Sequence, residues 1–316
     1  MKRTIYLFIS LLFMLILTSC KKNSPYIREN NKIYFGSYPS SLESNETIIN
    51  KLNKKIDNLP TETNNYNWIN YNYYILDEVK NYMWYIDISL DNEKYRGIYF
   101  IKYRPHYTHL TDDDTYSVQL KNNYLIDNVY WFKFEKIEWD ILEEKSGKLK
   151  LISNKLIDSQ DFYPSSSRAL VEHNGGNGYT NNYELSNIRK FLNDSFYNIA
   201  FNDKEKKLIN DMNVCNSNKE VGSIYISNDT IDKVTLLSFE EVKEYYSEPT
   251  NRIFSGTDYA KAQGLNYIKD SGYWLLRSPY SSNPNYMLLV NLSGNIIHAE
   301  VNSTFTGIKP VITINL

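Results

Sequence analysis

The chain has 316 residues with 35 basic and 37 acidic side chains, 29 tyrosines and two cysteines. That is enough for one large or two ordinary domains and a sizeable core. A near-neutral balance without a concentrated basic surface excludes a nucleic-acid partner, because phosphate binding depends on such a surface.

The first element is a leader. Lys2 and Arg3 precede Ile5 to Leu17, which is apolar apart from Ser10. The run is shorter than the ~20 residues a bilayer span needs and has the charge order of a secretory signal. It closes on Leu17-Thr18-Ser19-Cys20, a pattern that resembles the processing site of bacterial lipoproteins. There the cysteine receives a diacylglycerol and becomes the mature N-terminus. The competing readings are an ordinary signal peptide with an incidental cysteine, or an anchor helix. Residues 1–19 are thus expected to be removed, and Cys20 to hold the protein to a membrane by lipid. Losing Lys2 and Arg3 leaves 33 basic against 37 acidic residues, a formal charge of −4. Lys21 and Lys22 then lie next to the anionic headgroups. With Cys20 acylated, Cys215 has no partner and no intramolecular disulfide forms. Cys215 is expected to be a small buried hydrophobe, not a nucleophile.

Residues 20–32 read as a polar tether, and residues 33–316 as a single globular domain. Ile33 to Gly36 reads as a strand ended by a turn at Ser37 to Ser40. Ser44 is placed to cap a helix carrying Ile48, Ile49, Leu52 and Ile56. Tyr82 to Ile88, Tyr95 to Tyr103 and Val129 to Phe134 are further strands. Ile137, Trp139 and Ile141 alternate with charged residues; Glu144-Lys145-Ser146-Gly147 turns the chain; Leu149 and Leu151 continue the alternation as a hairpin. A helix opens at Ser186 with Ile188, Phe191, Leu192, Phe196 and Ile199 on one stripe. Asn202 with Glu205, and Ser238 with Glu241, have capping-box spacing. The second pair follows an apolar strand from Val234 to Leu237. Thr257 to Gln263 is a short helix that Gly264 ends. Four strands close the chain: Tyr273 to Arg277, Tyr286 to Leu292, Asn295 to Val301 and Ile308 to Leu316. Strands, scattered helices and strands again predict an α+β fold of antiparallel sheets with a few short helices.

Several of these segments resemble an uncharacterised bacterial family, domain of unknown function 6273. They are Tyr34 to Pro39, Glu93 to Phe100, Tyr130 to Leu142, Ile188 to Asn193, Thr257 to Ala262 and Trp274 to Pro279. Ile308-Lys309-Pro310 departs from an expected Val-Arg-Pro, and Phe191 from an expected Trp. The closing pattern is also similar to C-type-lectin-like domains, including those of formylglycine-generating enzymes. That resemblance implies pairing of the terminal strands, Ile33 to Phe35 with Val311 to Leu316.

Tyr273, Trp274, Arg277 and Ser278 are the candidate ligand-binding residues. The two aromatics offer a stacking platform for a sugar, although alternation leaves one of them in the core. Arg277 either meets an anionic ligand at the strand end or pairs with a buried carboxylate. His106, His109, Asp112 and Asp114 bring nitrogen and oxygen donors together, without a zinc spacing and without the Gly and Glu of a calcium loop. A solvated acidic loop is the alternative reading. Glu248-Pro249-Thr250-Asn251 does not keep lectin calcium-site spacing, Asn174 to Gly178 lacks a phosphate-loop frame, and neither His173 nor His298 belongs to a legible triad. No cofactor is expected. The resulting expectation is a non-enzymatic domain, lipid-anchored outside the cytosol in a bacterial cell envelope, that binds a glycan or a protein. The alternatives are an enzyme on a formylglycine-generating-enzyme-like fold and a purely structural envelope lipoprotein.

Overall fold

The computed structural model describes residues 25–111, 117–165, 170–173, 176–216 and 227–316. The leader, Cys20, Asp112 and Asp114 lie outside the described residues. The fold is mixed α+β with mostly antiparallel sheets. No helix among the described residues is long and apolar enough to cross a membrane.

The first sheet is built on strands β1 (Ile27–Glu29), β2 (Lys32–Leu42), β3 (Ile69–Asn70), β4 (Met83–Leu90), β5 (Glu93–Phe100), β6 (Tyr130–Lys145) and β7 (Lys148–Ser153). Its axis is β6, a single strand of 16 residues where two had been expected. One edge of β6 pairs with β2 from Phe132 to Asp140. Its other edge divides: Tyr130 to Lys133 pair with β5, and Trp139 to Lys145 pair with β7. The sheet therefore forks. The β6–β7 hairpin turns at Ser146 and Gly147, both with positive φ as a two-residue type I′ turn requires.

The turn expected at Ser37 to Ser40 is instead continuous strand. Gly36 absorbs the irregularity: its φ is +68°, the β2–β6 register shifts there, and a Cβ would sit 2.6 Å from the Phe201 ring. Only glycine meets both conditions. The presumed tether also begins to fold earlier, since Ile27–Glu29 pairs with Glu29-adjacent β2 residues Lys32 to Tyr34.

The second sheet contains β8 (Asp158–Ser159), β9 (Trp274–Pro279), β10 (Tyr286–Val290), β11 (Ile296–Glu300) and β12 (Gly307–Ile308), in spatial order β8-β12-β9-β10-β11. After β12 the chain returns to the first sheet as β13 (Val311–Asn315), which pairs with β7. Lys309-Pro310 interrupts what the sequence suggests is one strand, because proline donates nothing to a ladder. The terminal strands do not pair: β6 and β7 stand between β2 and β13. Val234 to Leu237 contributes one isolated bridge, Thr235 with Val311, instead of a strand.

Helix α1 (Glu46–Asn53) is capped by Asn45, one residue beyond the expected Ser44. Helix α2 (Asn187–Phe191) is capped by Ser186 and continues through a π turn, Leu192–Phe196. Both capping boxes form as read, Asn202 with Glu205 and Ser238 with Glu241, the latter opening α3 (Phe239–Tyr245). Thr257 caps α4 (Asp258–Ala262), and Gly264 follows with φ +107°. Ile188, Leu192, Phe196 and Phe201 pack on Phe35, Tyr38, Phe132 and Trp139 of the first sheet. A second core under β9 joins Trp274, Leu276, Leu288 and Val290 to Leu237, Val242 and Val311.

Several charged groups in the core are paired, while the Tyr73 hydroxyl and both polar side-chain atoms of Gln263 are buried without a hydrogen-bond partner among the described residues. Arg96 holds Asp87 through Nε at 2.7 Å and Nη2 at 2.9 Å, and Arg104 holds Asp161 at 2.9 Å. Tyr38 donates to Asp158 at 2.6 Å. Lys309 is the exception in kind: fully buried, its Nζ lies 3.6 Å from the Phe254 ring centroid and donates to the carbonyls of Ser153 and Asn154. Burial lowers its pKa to about 7, with Asp140 opposing weakly. A neutral amine has two N–H groups for those two acceptors.

Candidate functional site

Alternation along β9 separates the residues that the sequence put forward. Trp274 is fully buried; its indole N–H donates to the Arg252 carbonyl at 3.0 Å and its ring packs edge-on to Phe254. It presents no face to solvent. Ser278 is buried too, its Oγ accepting the first free helical N–H of α3, from Phe239, at 2.9 Å.

Arg277 takes the second of its two readings. Its Nη1 donates to Glu241 and to the Leu236 carbonyl, and its Nη2 to the Cys215 carbonyl at 3.3 Å. Glu241 also accepts from Lys150 at 2.7 Å and from the Ser238 N–H at 2.9 Å. Burial alone would raise the Glu241 carboxyl; Arg277 and Lys150 outweigh it and hold the pKa at about 2. These groups line a cleft of about 260 Å³ with Thr235, Thr313 and Cys215. Cys215 is exposed, contrary to expectation. It follows Val214, which takes the buried position of the short strand Met212–Val214.

Tyr273 points to the other face and has different company. Its ring meets Phe305 edge-on at 5.6 Å; Phe305 in turn meets Tyr107 at 6.0 Å and His106 at 6.1 Å; Tyr107 stacks on His109 at 5.7 Å. The His106 loop and Tyr273 thus converge, while Trp274, Arg277 and Ser278 lie elsewhere. His109 Nδ1 is 4.0 Å from the Glu300 carboxylate. Asn302 Nδ2 lies 2.8 Å from the same Nδ1.

Glu300 links this group to a second one. It lies directly across from Tyr286 in the β10–β11 ladder, so the two side chains share a face. Two residues back, exposed His298 stacks on Tyr280 at 4.1 Å and meets Tyr286 edge-on at 5.4 Å. Burial raises the Tyr107 phenol, with further contributions from Glu300, Tyr286 and Tyr273. That places Tyr107 within electrostatic reach of both groups. Tyr280, Tyr286, His298, Glu300, His109, Tyr107, Phe305 and Tyr273 therefore form a continuous belt, half-buried except for exposed His298. It runs from the edge strand β11 past the start of β10 to the segments that precede β9 and β12.

Among the described residues no three His, Cys, Asp or Glu side chains gather as a metal site. The belt offers ring faces with polar tips, suited to stacking on the apolar face of a sugar while bonding its hydroxyls. Tyr107, Tyr280, Tyr286, His298 and Phe305 were missed because no sequence spacing unites them. The one available signal was the β10–β11 register, which sets Tyr286 and His298 on one face.

Residues 147–316 match the family described as Domain of unknown function (DUF6273). The match includes Tyr273, Tyr280, Tyr286, His298, Glu300 and Phe305, while the His106 loop and the resembling segments before residue 147 lie outside it. Neither the curated proteins nor the solved structures yield a match.

Proposed function

Because the chain belongs to the DUF6273 family, whose description assigns no activity, we propose from the belt itself that the protein is a non-enzymatic glycan-binding domain. Cys20 carries the lipid that holds it to a bacterial membrane outside the cytosol, and the folded body displays the belt to the envelope. The observation that carries this reading is the pair of partly exposed ring groups, Tyr280 with Tyr286 and His298, and His109 with Tyr107, Phe305 and Tyr273, that meet at Glu300. Surfaces of this kind supply contact area at small conformational cost, since each aromatic side chain has only two rotatable bonds to fix.

The test is an array of glycans and peptidoglycan fragments probed with the full chain in detergent. The reading predicts binding that Tyr107→Ala and His298→Ala each weaken with no loss of folded protein. A uniformly blank array contradicts it and leaves a protein partner. Mass spectrometry of the native protein tests the anchor separately: a diacylglyceryl thioether on Cys20 is expected, and an unmodified thiol on an uncut chain would remove it.

A further inference from the structure

We infer that the belt is a two-station surface for an extended, uncharged oligosaccharide and not a seat for one sugar; this rests on the glycan-binding reading above. The first station is Tyr280, Tyr286 and His298, with ring centroids 4.1 to 6.3 Å apart. The second is Tyr107, Phe305 and Tyr273, spaced 5.6 to 6.0 Å.

Between the stations the belt changes character. Glu300 stands there, opposite Tyr286 in the ladder and 4.0 Å from His109. A carboxylate accepts hydrogen bonds and repels anions, so the ligand must bring hydroxyl or amide N–H donors to that point and no negative charge. A ligand that bridges the junction engages the second station as an intramolecular step, which multiplies affinity without new kinds of contact.

The experiment is calorimetric titration of the full chain with β-1,4-linked N-acetylglucosamine oligomers of increasing length. Affinity should rise about ten-fold or more from the single sugar to the length that spans both stations, then level off. His298→Ala should remove that gain and leave short-ligand binding at the Tyr107 station; Tyr107→Ala should leave short-ligand binding at the His298 station. Equal affinity at every length overturns the inference, as does one substitution that abolishes binding at all lengths while thermal stability is unchanged. Absence of binding at every length also overturns it. A positive glycan array in that case leaves the glycan reading standing, whereas a blank array removes both.

Discussion

The Arg277 cleft and the aromatic belt draw on the residue types that most often mark a binding site, and they use them in opposite ways. In the cleft, Glu241 pairs with both Arg277 and Lys150 and also closes the capping box of α3. Arg277 further ties down the carbonyls of Leu236 and Cys215. In the belt, rings touch mainly one another and keep part of their surface in water. The comparison teaches that a buried, paired cation fixes the scaffold, while partly exposed rings remain available to a ligand.

Substitutions can break the comparison, and the largest effect is expected in the cleft. Glu241→Ala leaves Arg277 and Lys150 without a counter-ion and removes a cap, which should cost about 3–5 kcal/mol in urea unfolding. A loss below about 1 kcal/mol would show the cleft to be as loosely built as the belt.

Lys309 sharpens the same contrast as a buried amine without a direct carboxylate partner. Its folded pKa of about 7 lies below the ordinary 10.5, so between those values the unfolded chain binds more protons and stability rises with pH. The gain should approach about 5 kcal/mol, and Lys309→Met should flatten that limb. Unfolding measured at several pH values in both proteins decides it; parallel curves would refute the assignment. Glu241 acts with the same sign at the acid end of the scale. Its folded pKa of about 2 lies below 4.5, so its contribution is present above pH 4.5 and disappears as pH falls toward 2. A loss of about 3 kcal/mol is expected across that range, absent in Glu241→Gln.

The smallest effect on stability belongs to the belt. His298→Ala, at an exposed edge position, should shift unfolding by no more than about 0.5 kcal/mol. Calorimetry showing a loss comparable to that of Glu241→Ala would make the belt part of the scaffold.

What could be read beforehand follows the range of the interactions. Both capping boxes and the Ser146-Gly147 hairpin depend on residues three or fewer positions apart, and all three form. The continuous β2 strand was not legible, because the glycine bulge at Gly36 fits only against the Phe201 ring. The fork in β6 escaped for a related reason, since β5 and β7 are chosen by tertiary pairing and not by alternation. Tyr273 was read as a stacking residue and does join the belt. Its partner Phe305 and the contact between Tyr280 and His298 depend on chain folding across many residues. Arg277 was legible as a choice between a ligand and a carboxylate; only the position of Glu241 resolves it.

The most direct measurement is diffraction from crystals of the protein grown with the N-acetylglucosamine hexamer. The account predicts sugar density lying across Tyr280, His298 and Tyr107 and an empty cleft at Arg277. Density in the Arg277 cleft over a bare belt would contradict it.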